Sequence, residues 1–139
     1  AAVTYTTTET GPIISVTVTV DNKRKYYISG AVHVNGKDIP DNKPVKSNLR
    51  IRFASGTSVT TAGTAIGSDT FANKIREGQV DDRINYFRRF LPSSSGQITI
   101  GLFLQVDSSV NPSGQMDVIA AQANNSIARP ICIRDVGAQ

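Results

Sequence analysis

The sequence is poor in the residues that build most catalytic and metal-binding sites. Its 139 residues include one cysteine, one histidine, one methionine and no tryptophan. The single cysteine, Cys132, excludes an intrachain disulfide, and one cysteine with one histidine provides too few ligands for a zinc site. The chain also contains no phosphate-binding glycine loop, HExxH helix or GxSxG elbow. We therefore expect no enzyme activity, no metal and no cofactor.

Aromatic residues and long apolar runs are also scarce. Hydrophobic residues make up 39% of the chain and aromatic residues 6%. No apolar stretch approaches the roughly 20 residues that cross a bilayer, so we expect no membrane partner. With 15 basic and 11 acidic residues the formal net charge is +4, which permits a polyanionic partner without requiring one. The length is typical of one domain, and we expect residues 1–139 to form a single self-assembling domain.

Alternation of β-branched and polar residues dominates the first third of the chain. From Ile14 to Val20, isoleucine and valine alternate with serine and threonine, a period of two that is typical of a strand. Residues 21–25 are polar and mostly basic, and alternation resumes from Tyr26 to Val34. This pattern predicts a long antiparallel hairpin over residues 14–34 with a basic tip.

Further alternating stretches predict that the whole chain is mainly β. Leu49, Ile51 and Phe53 alternate with arginines, and a second long apolar alternation runs from Ile98 to Val106. Glycine, proline, serine and asparagine separate these stretches, as expected between strands. We predict a mainly β fold with a minor α part, namely an antiparallel sheet or sandwich with one amphipathic helix.

The predicted helix lies near residues 80–91. Apolar residues recur there at spacings of 4, 3 and 4, at Val80, Ile84, Phe87 and Leu91, which is the pattern of an amphipathic helix. Aspartates at its start and arginines at its end would complement the helix dipole. If this face is buried, truncation of Phe87 to alanine should cost about 3–5 kcal/mol.

Polar and basic residues of these strands and loops form a candidate nucleic-acid site. Arginine and lysine neutralise phosphates, serine and threonine bond sugars and base edges, and tyrosine stacks on bases. If the apolar residues of the hairpin face the core, the alternating polar residues share the opposite face. The predicted site consists of Thr17, Thr19, Lys23, Arg24, Lys25, Tyr27, Ser29, His33, Arg50 and Arg52. The alternative is an ordinary solvated outer face, which every antiparallel sheet of this kind needs.

The segment VTVTV-DNKRK-YYISGAV, residues 16–32, resembles the central hairpin of the coat proteins of small single-stranded RNA bacteriophages. In that family a Thr/Val-alternating strand leads through a short basic loop into a Tyr-bearing strand, and an Arg-bearing strand and an amphipathic helix follow. The resemblance implies subunits that pair their sheets and bind an RNA hairpin on the inner sheet face. It would direct the following residues toward RNA: Thr17, Thr19, Tyr27, Ser29, Arg50 and Arg52.

The chain differs from that family in its length beyond the helix. The family usually ends with its helices, whereas this chain continues for 48 residues after Leu91. A jelly-roll coat of another small virus would explain the additional strands better and the hairpin equally well.

The sequence therefore predicts a non-enzymatic structural subunit that self-assembles into a viral capsid. Its first partner would be itself, as a homodimer and a higher-order assembly. Its second partner would be the RNA genome, which it would contact through a basic sheet face. Its location would be the virion. One alternative is a pilus or cell-surface fibre subunit assembled by strand donation, with residues 1–10 as the donated strand. Another is a β module that binds a small ligand or carbohydrate, although aromatic residues for stacking on sugars are few.

Overall fold

The structure, a computed structural model, describes residues 3–37, 45–68, 70–74, 82–108, 115–118 and 131–139. Within these ranges the chain forms β-strands and no helix. The strands are β1 (Val3–Tyr5), β2 (Ser15–Val20), β3 (Arg24–Lys37), β4 (Val45–Ser55), β5 (Thr64–Ala65), β6 (Thr70–Lys74), β7 (Asp82–Phe90), β8 (Gly96–Val106), β9 (Gln115–Val118) and β10 (Cys132–Ala138). The prediction of a mainly β fold is confirmed.

The strands form two antiparallel sheets of five strands each. Sheet A is organised around β3, which pairs with β7 along one side and with β10 and β9 along the other; β1 pairs with β9. Sheet B is organised around β8 and β4, with β2 next to β8 and with β5 and β6 next to β4. This arrangement confirms the antiparallel part of the predicted fold class.

The strand pairings are nested within one another. β4 pairs with β6, β3 with β7, β2 with β8 and β1 with β9. Each pair therefore encloses the pair before it, and successive pairs belong to alternate sheets. A long antiparallel ribbon rolled up in this way is a jelly roll, one of the architectures by which all-β chains limit their exposed edges.

One hydrophobic core lies between the two sheets. It is built from every second residue of the long strands, as expected when alternate side chains point to one face. Its most deeply buried members are Ile28, Val32, Val34, Val45, Leu49, Ile51, Ile84, Ile100, Leu102, Leu104 and Val106. The alternation predicted along β3, β4 and β8 therefore identifies the core correctly.

The predicted hairpin at residues 14–34 is wrong, although its two halves are strands. β2 pairs with β8 in sheet B, and β3 pairs with β7 in sheet A. The short connection at residues 21–23 carries the chain between the sheets. There the Arg24 N–H donates to the Asp21 carbonyl at 3.0 Å, and the Asp21 N–H donates to the Tyr26 hydroxyl at 2.9 Å. Alternation predicts strands but does not choose their partners, because strand propensity depends on tertiary context.

The predicted helix near residues 80–91 is also wrong. Residues 82–90 are strand β7, which pairs with β3 along its whole length, and residues 80 and 81 lie outside the described residues. Ile84, Tyr86 and Phe90 are buried at the even spacing of a strand. Tyr86 and Phe90 are buried residues that the helical pattern does not include. Burial raises the pKa of the Tyr86 hydroxyl.

The expected burial of Phe87 is wrong for the same reason. Odd-numbered residues of β7 point away from the core, so Phe87 is 56% exposed, and Leu91, just after the strand, is 46% exposed. The apolar residues of this segment fit both the helical period of about 3.6 and the strand period of two in part. Pairing with β3 gives the segment the period of two.

Candidate nucleic-acid interface

The structure divides the predicted site residues between the two sheets. Thr17, Thr19, Arg50 and Arg52 belong to β2 and β4 and project from the outer face of sheet B, whereas Tyr27 and Ser29 belong to β3 and project from the outer face of sheet A. The outer faces of a sandwich point in opposite directions. The predicted residues therefore form two groups with different surroundings.

The outer face of sheet B is covered by segments of its own chain. Phe103 points outward from β8 but is completely buried, and Val59, in the loop between β4 and β5, is almost completely buried. A Cβ at Gly101 would lie 2.7 Å from Val59 and 2.9 Å from Pro12, and one at Gly11 would lie 2.6 Å from the Phe103 ring. The two glycines therefore let the covering segments approach the sheet and the ring closely.

The two arginines of sheet B share one carboxylate of their own chain. Arg52 donates from Nε to Glu9 Oε2 at 3.0 Å, from Nη2 to Glu9 Oε1 at 3.0 Å, and from Nη1 to the Gly63 carbonyl at 2.8 Å. Arg50 forms an ion pair with the same carboxylate. The Glu9 side chain is only 13% exposed and that of Arg52 only 15%. Bidentate pairs of this kind are among the strongest hydrogen bonds in proteins, so both arginines serve to hold the segment before β2 onto the sheet.

The threonines of β2 differ in their contacts. The Thr17 and Thr99 hydroxyl oxygens are 2.8 Å apart, and Thr99 donates to the Gly56 carbonyl at 2.7 Å. Because a hydroxyl has one proton to donate, Thr17 is the donor to Thr99. Thr19 is exposed and lies in register with Gln97.

The outer face of sheet A carries an aromatic pair between basic residues. The ring centroids of Tyr27 on β3 and Phe87 on β7 are 4.8 Å apart. Tyr27 lies in register with Arg89 of β7 on one side and with Arg134 of β10 on the other. Lys25 precedes Tyr27 by two residues and projects from the same face. We call Lys25, Tyr27, Phe87, Arg89 and Arg134 the basic aromatic face.

The cations of the basic aromatic face lack carboxylate partners within the described part of the chain. Lys25, Arg89 and Arg134 form no ion pair there. Arg24, at the end of the sheet, differs because it binds Asp135 at 2.9 Å. Its hydrogen bond holds the pKa of Asp135 below the ordinary value. Among the described residues, this face of sheet A therefore presents positive charge without a carboxylate partner, beside the half-buried Tyr27 ring and the exposed Phe87 ring.

The remaining predicted residues lie around this face. Lys23 is exposed in the connection between β2 and β3, and Ser29 lies in register with both Phe87 and Cys132. His33 lies in β3 in register with Arg83, but its side chain is outside the described part of the structure.

Sequence reasoning missed Phe87, Arg89 and Arg134 as surface residues of this site. The first two could have been found from the even spacing of Ile84, Tyr86 and Phe90, which leaves the odd positions outside. Nothing local could have placed Arg134 beside Tyr27, because the two residues are far apart in sequence and meet only through strand pairing.

No protein-family profile matches the chain, and no curated protein matches it. The resemblance to RNA-phage coat proteins stays a prediction, and the hairpin and helix that supported it have other structures here. Among the described residues, no three or more His, Cys, Asp and Glu side chains cluster in a way that could hold a metal. In the same residues no helix has the length and apolarity to span a membrane.

Proposed function

We propose that this chain is a non-enzymatic structural subunit that self-assembles into a viral capsid and contacts RNA through the basic aromatic face of sheet A. The observation that carries the proposal is the cross-strand row in which Arg134 and Arg89 flank Tyr27. Neutralising phosphates and stacking on bases are the two main sources of sequence-tolerant affinity for single-stranded nucleic acid.

The fold supports the assembly half of the proposal. Jelly rolls occur in viral capsid domains, and they also occur in lectin domains and cupins. Because one fold serves several functions, the basic aromatic face supports the proposal more strongly than the fold does. The virion remains the proposed location.

The two sheets contribute unequally to the proposed RNA contact. Arginine gains affinity for a polyanion by releasing the counterions of the phosphates that it neutralises. Arg50 and Arg52 already share the Glu9 carboxylate, so an RNA strand would have to displace an internal ion pair to reach them. Arg89 and Arg134 are exposed and need no such displacement.

The proposal is tested by size-exclusion chromatography of the purified chain with light scattering and absorbance at 260 and 280 nm. We expect a large particle with a nucleic-acid spectrum, and nuclease-resistant RNA in the same peak. A clean monomer at the chain mass of 14.9 kDa, free of nucleic acid, would contradict the proposal.

Binding of a small ligand or carbohydrate is a second candidate, and the pairing of Tyr27 with the exposed Phe87 ring favours it. Sugars stack their apolar faces on aromatic rings, and lectins include jelly rolls. A stable monomer whose tyrosine fluorescence responds to a glycan, with no response in Tyr27→Ala, would support this candidate over the first.

Strand donation has a specific structural requirement. β1 pairs with β9 of the same chain, and the Val106 N–H donates to the Thr6 carbonyl at 2.8 Å. The segment proposed for donation thus completes its own fold here, and a fibre would need it to exchange between subunits. Polymerisation that is lost on deletion of residues 1–10 would support that alternative.

A further inference from the structure

β2 forms one edge of sheet B, and within the described residues only β8 pairs with it. Alternate residues of an antiparallel strand direct their N–H and C=O groups to the same side. The Ile13 N–H donates to the Leu102 carbonyl at 2.7 Å, and the Leu102 N–H donates to the Ile14 carbonyl at 3.0 Å. In this register Val16 and Val18 bond to β8. The N–H and C=O groups of Ser15, Thr17 and Thr19 then point to the open side.

This open side is complementary to a second copy of itself. If two copies pair antiparallel about a two-fold axis at Thr17, Thr17 faces Thr17 of the second copy and Ser15 faces its Thr19. Each of these pairs exchanges both backbone hydrogen bonds. Val16 would face Val18 on the inner side, which covers two valines that are only half-buried in one copy. Pairs of β-branched and hydroxyl side chains are favourable across strands.

The β7 edge of sheet A is protected, unlike the β2 edge of sheet B. In β7 the Arg88 side chain lies along the edge, where it donates from Nη1 to the Phe87 carbonyl at 2.8 Å and from Nε to the Ser68 carbonyl at 3.1 Å. Charged side chains are a common protection of sheet edges against pairing. Residues 15–20 contain only serine, threonine and valine, so no charge opposes their approach to a second copy.

We propose that the β2 edges of two copies pair antiparallel about an axis at Thr17 and join their B sheets into one continuous sheet. This contact rests on the proposed self-assembly, of which it would be one interface.

Disulfide trapping tests the register directly. In a Cys132→Ser background, Thr17→Cys places two thiols on the axis. The Cα atoms of such a hydrogen-bonded pair lie about 5.5 Å apart, within disulfide range. We expect covalent dimers under mild oxidation.

Thr19→Cys in the same background is the matched control. Its two copies are offset by four residues, about 13 Å along the strand, and should not crosslink. A mixture of Ser15→Cys and Thr19→Cys should form heterodimers. Absence of a Thr17→Cys dimer, or equal crosslinking of Thr17→Cys and Thr19→Cys, would overturn the proposal.

Charge at the axis provides a second test that needs no disulfide. Thr17→Lys and Thr17→Glu should each lose association, because like charges would face each other, and a mixture of the two variants should regain it. Asn85→Lys adds the same charge to an exposed position of β7 and should associate like wild type. Circular dichroism verifies that each variant is folded.

The outcomes separate this contact from the proposed function. RNA-containing particles that form normally with Thr17→Lys would reject the β2 contact and leave the proposed function intact. A wild-type chain that stays monomeric would reject both.

Discussion

The outer faces of sheets A and B carry the same kinds of residue in opposite environments. On sheet B, Phe103 is completely buried and Arg50 and Arg52 share Glu9. On sheet A, Phe87 is 56% exposed, and Arg89 and Arg134 have no carboxylate partner among the described residues. The difference arises because chain segments fold back over sheet B. Residue type alone therefore does not identify a binding face. Whether a face can bind a partner depends on whether other chain segments cover it and on whether nearby carboxylates pair with its cations.

Truncation of one phenylalanine on each face gives the largest expected difference. Phe103→Ala should lower the free energy of unfolding by about 3–5 kcal/mol, because it leaves a cavity at a completely buried position. Phe87→Ala should lower it by less than about 1 kcal/mol, since much of its surface is already in water. Chemical denaturation of the two variants measures both values, and similar losses would show that the faces are equally covered.

Addition of one methyl group tests how closely the cover lies on sheet B. Gly101→Ala would place its Cβ against Val59 and Pro12, and such overpacking should cost about 1–3 kcal/mol. Ser29→Ala, at an outward position of sheet A, serves as the control and should be nearly neutral. If thermal unfolding shows Gly101→Ala to be as stable as wild type, the covering loop is not held against the sheet.

Removal of the internal carboxylate should make sheet B resemble sheet A. Glu9→Gln leaves Arg50 and Arg52 without their counter-charge, and we expect a loss of about 1–3 kcal/mol of folding stability. The same change should increase RNA affinity at low salt, because two cations become available for phosphates. Denaturation and filter binding check the two effects, and unchanged RNA affinity would mean that the covered face stays inaccessible.

A smaller, pH-dependent effect is expected at the end of sheet A. The Arg24 hydrogen bond lowers the pKa of Asp135 from the ordinary 3.8, so the pair stabilises the fold above that pH and loses its effect as pH falls through the lowered pKa. The melting temperature of Asp135→Asn should lie below that of wild type at neutral pH, and the gap should close in acid. A gap that does not narrow at any acidic pH would contradict this origin.

The sequence allowed the strands to be predicted better than their pairing. The period of two along β2, β3, β4 and β8 marks the buried residues, because one sheet face meets the core wherever the strand is placed. It gives no information about partners, so the hairpin of β2 with β3 was predicted in place of the β2–β8 and β3–β7 pairs. In β7 the apolar residues fit both a helical and a strand period, and only the pairing with β3 decides between them.

The residue types of the candidate site could be predicted from the sequence. The neighbours and ion-pair partners of those residues could be predicted less well. The outward direction of Arg50 and Arg52 follows from the alternation of β4. Their pairing with Glu9 does not, because Glu9 lies 41 and 43 residues away in sequence. Tyr27 and Ser29 were identified correctly as outward residues, whereas Arg134 could be added only once β10 was seen beside β3.

The salt dependence of binding to single-stranded RNA tests the central claim most directly. Removing two phosphate contacts should reduce the slope of log affinity against log salt by about 1.4, at roughly 0.7 per contact. We predict this reduction for Arg89→Ala with Arg134→Ala, and a slope close to wild type for the matched variant Arg50→Ala with Arg52→Ala. The opposite result, with the slope reduced only by the sheet B pair, would contradict the assignment of RNA contact to the basic aromatic face.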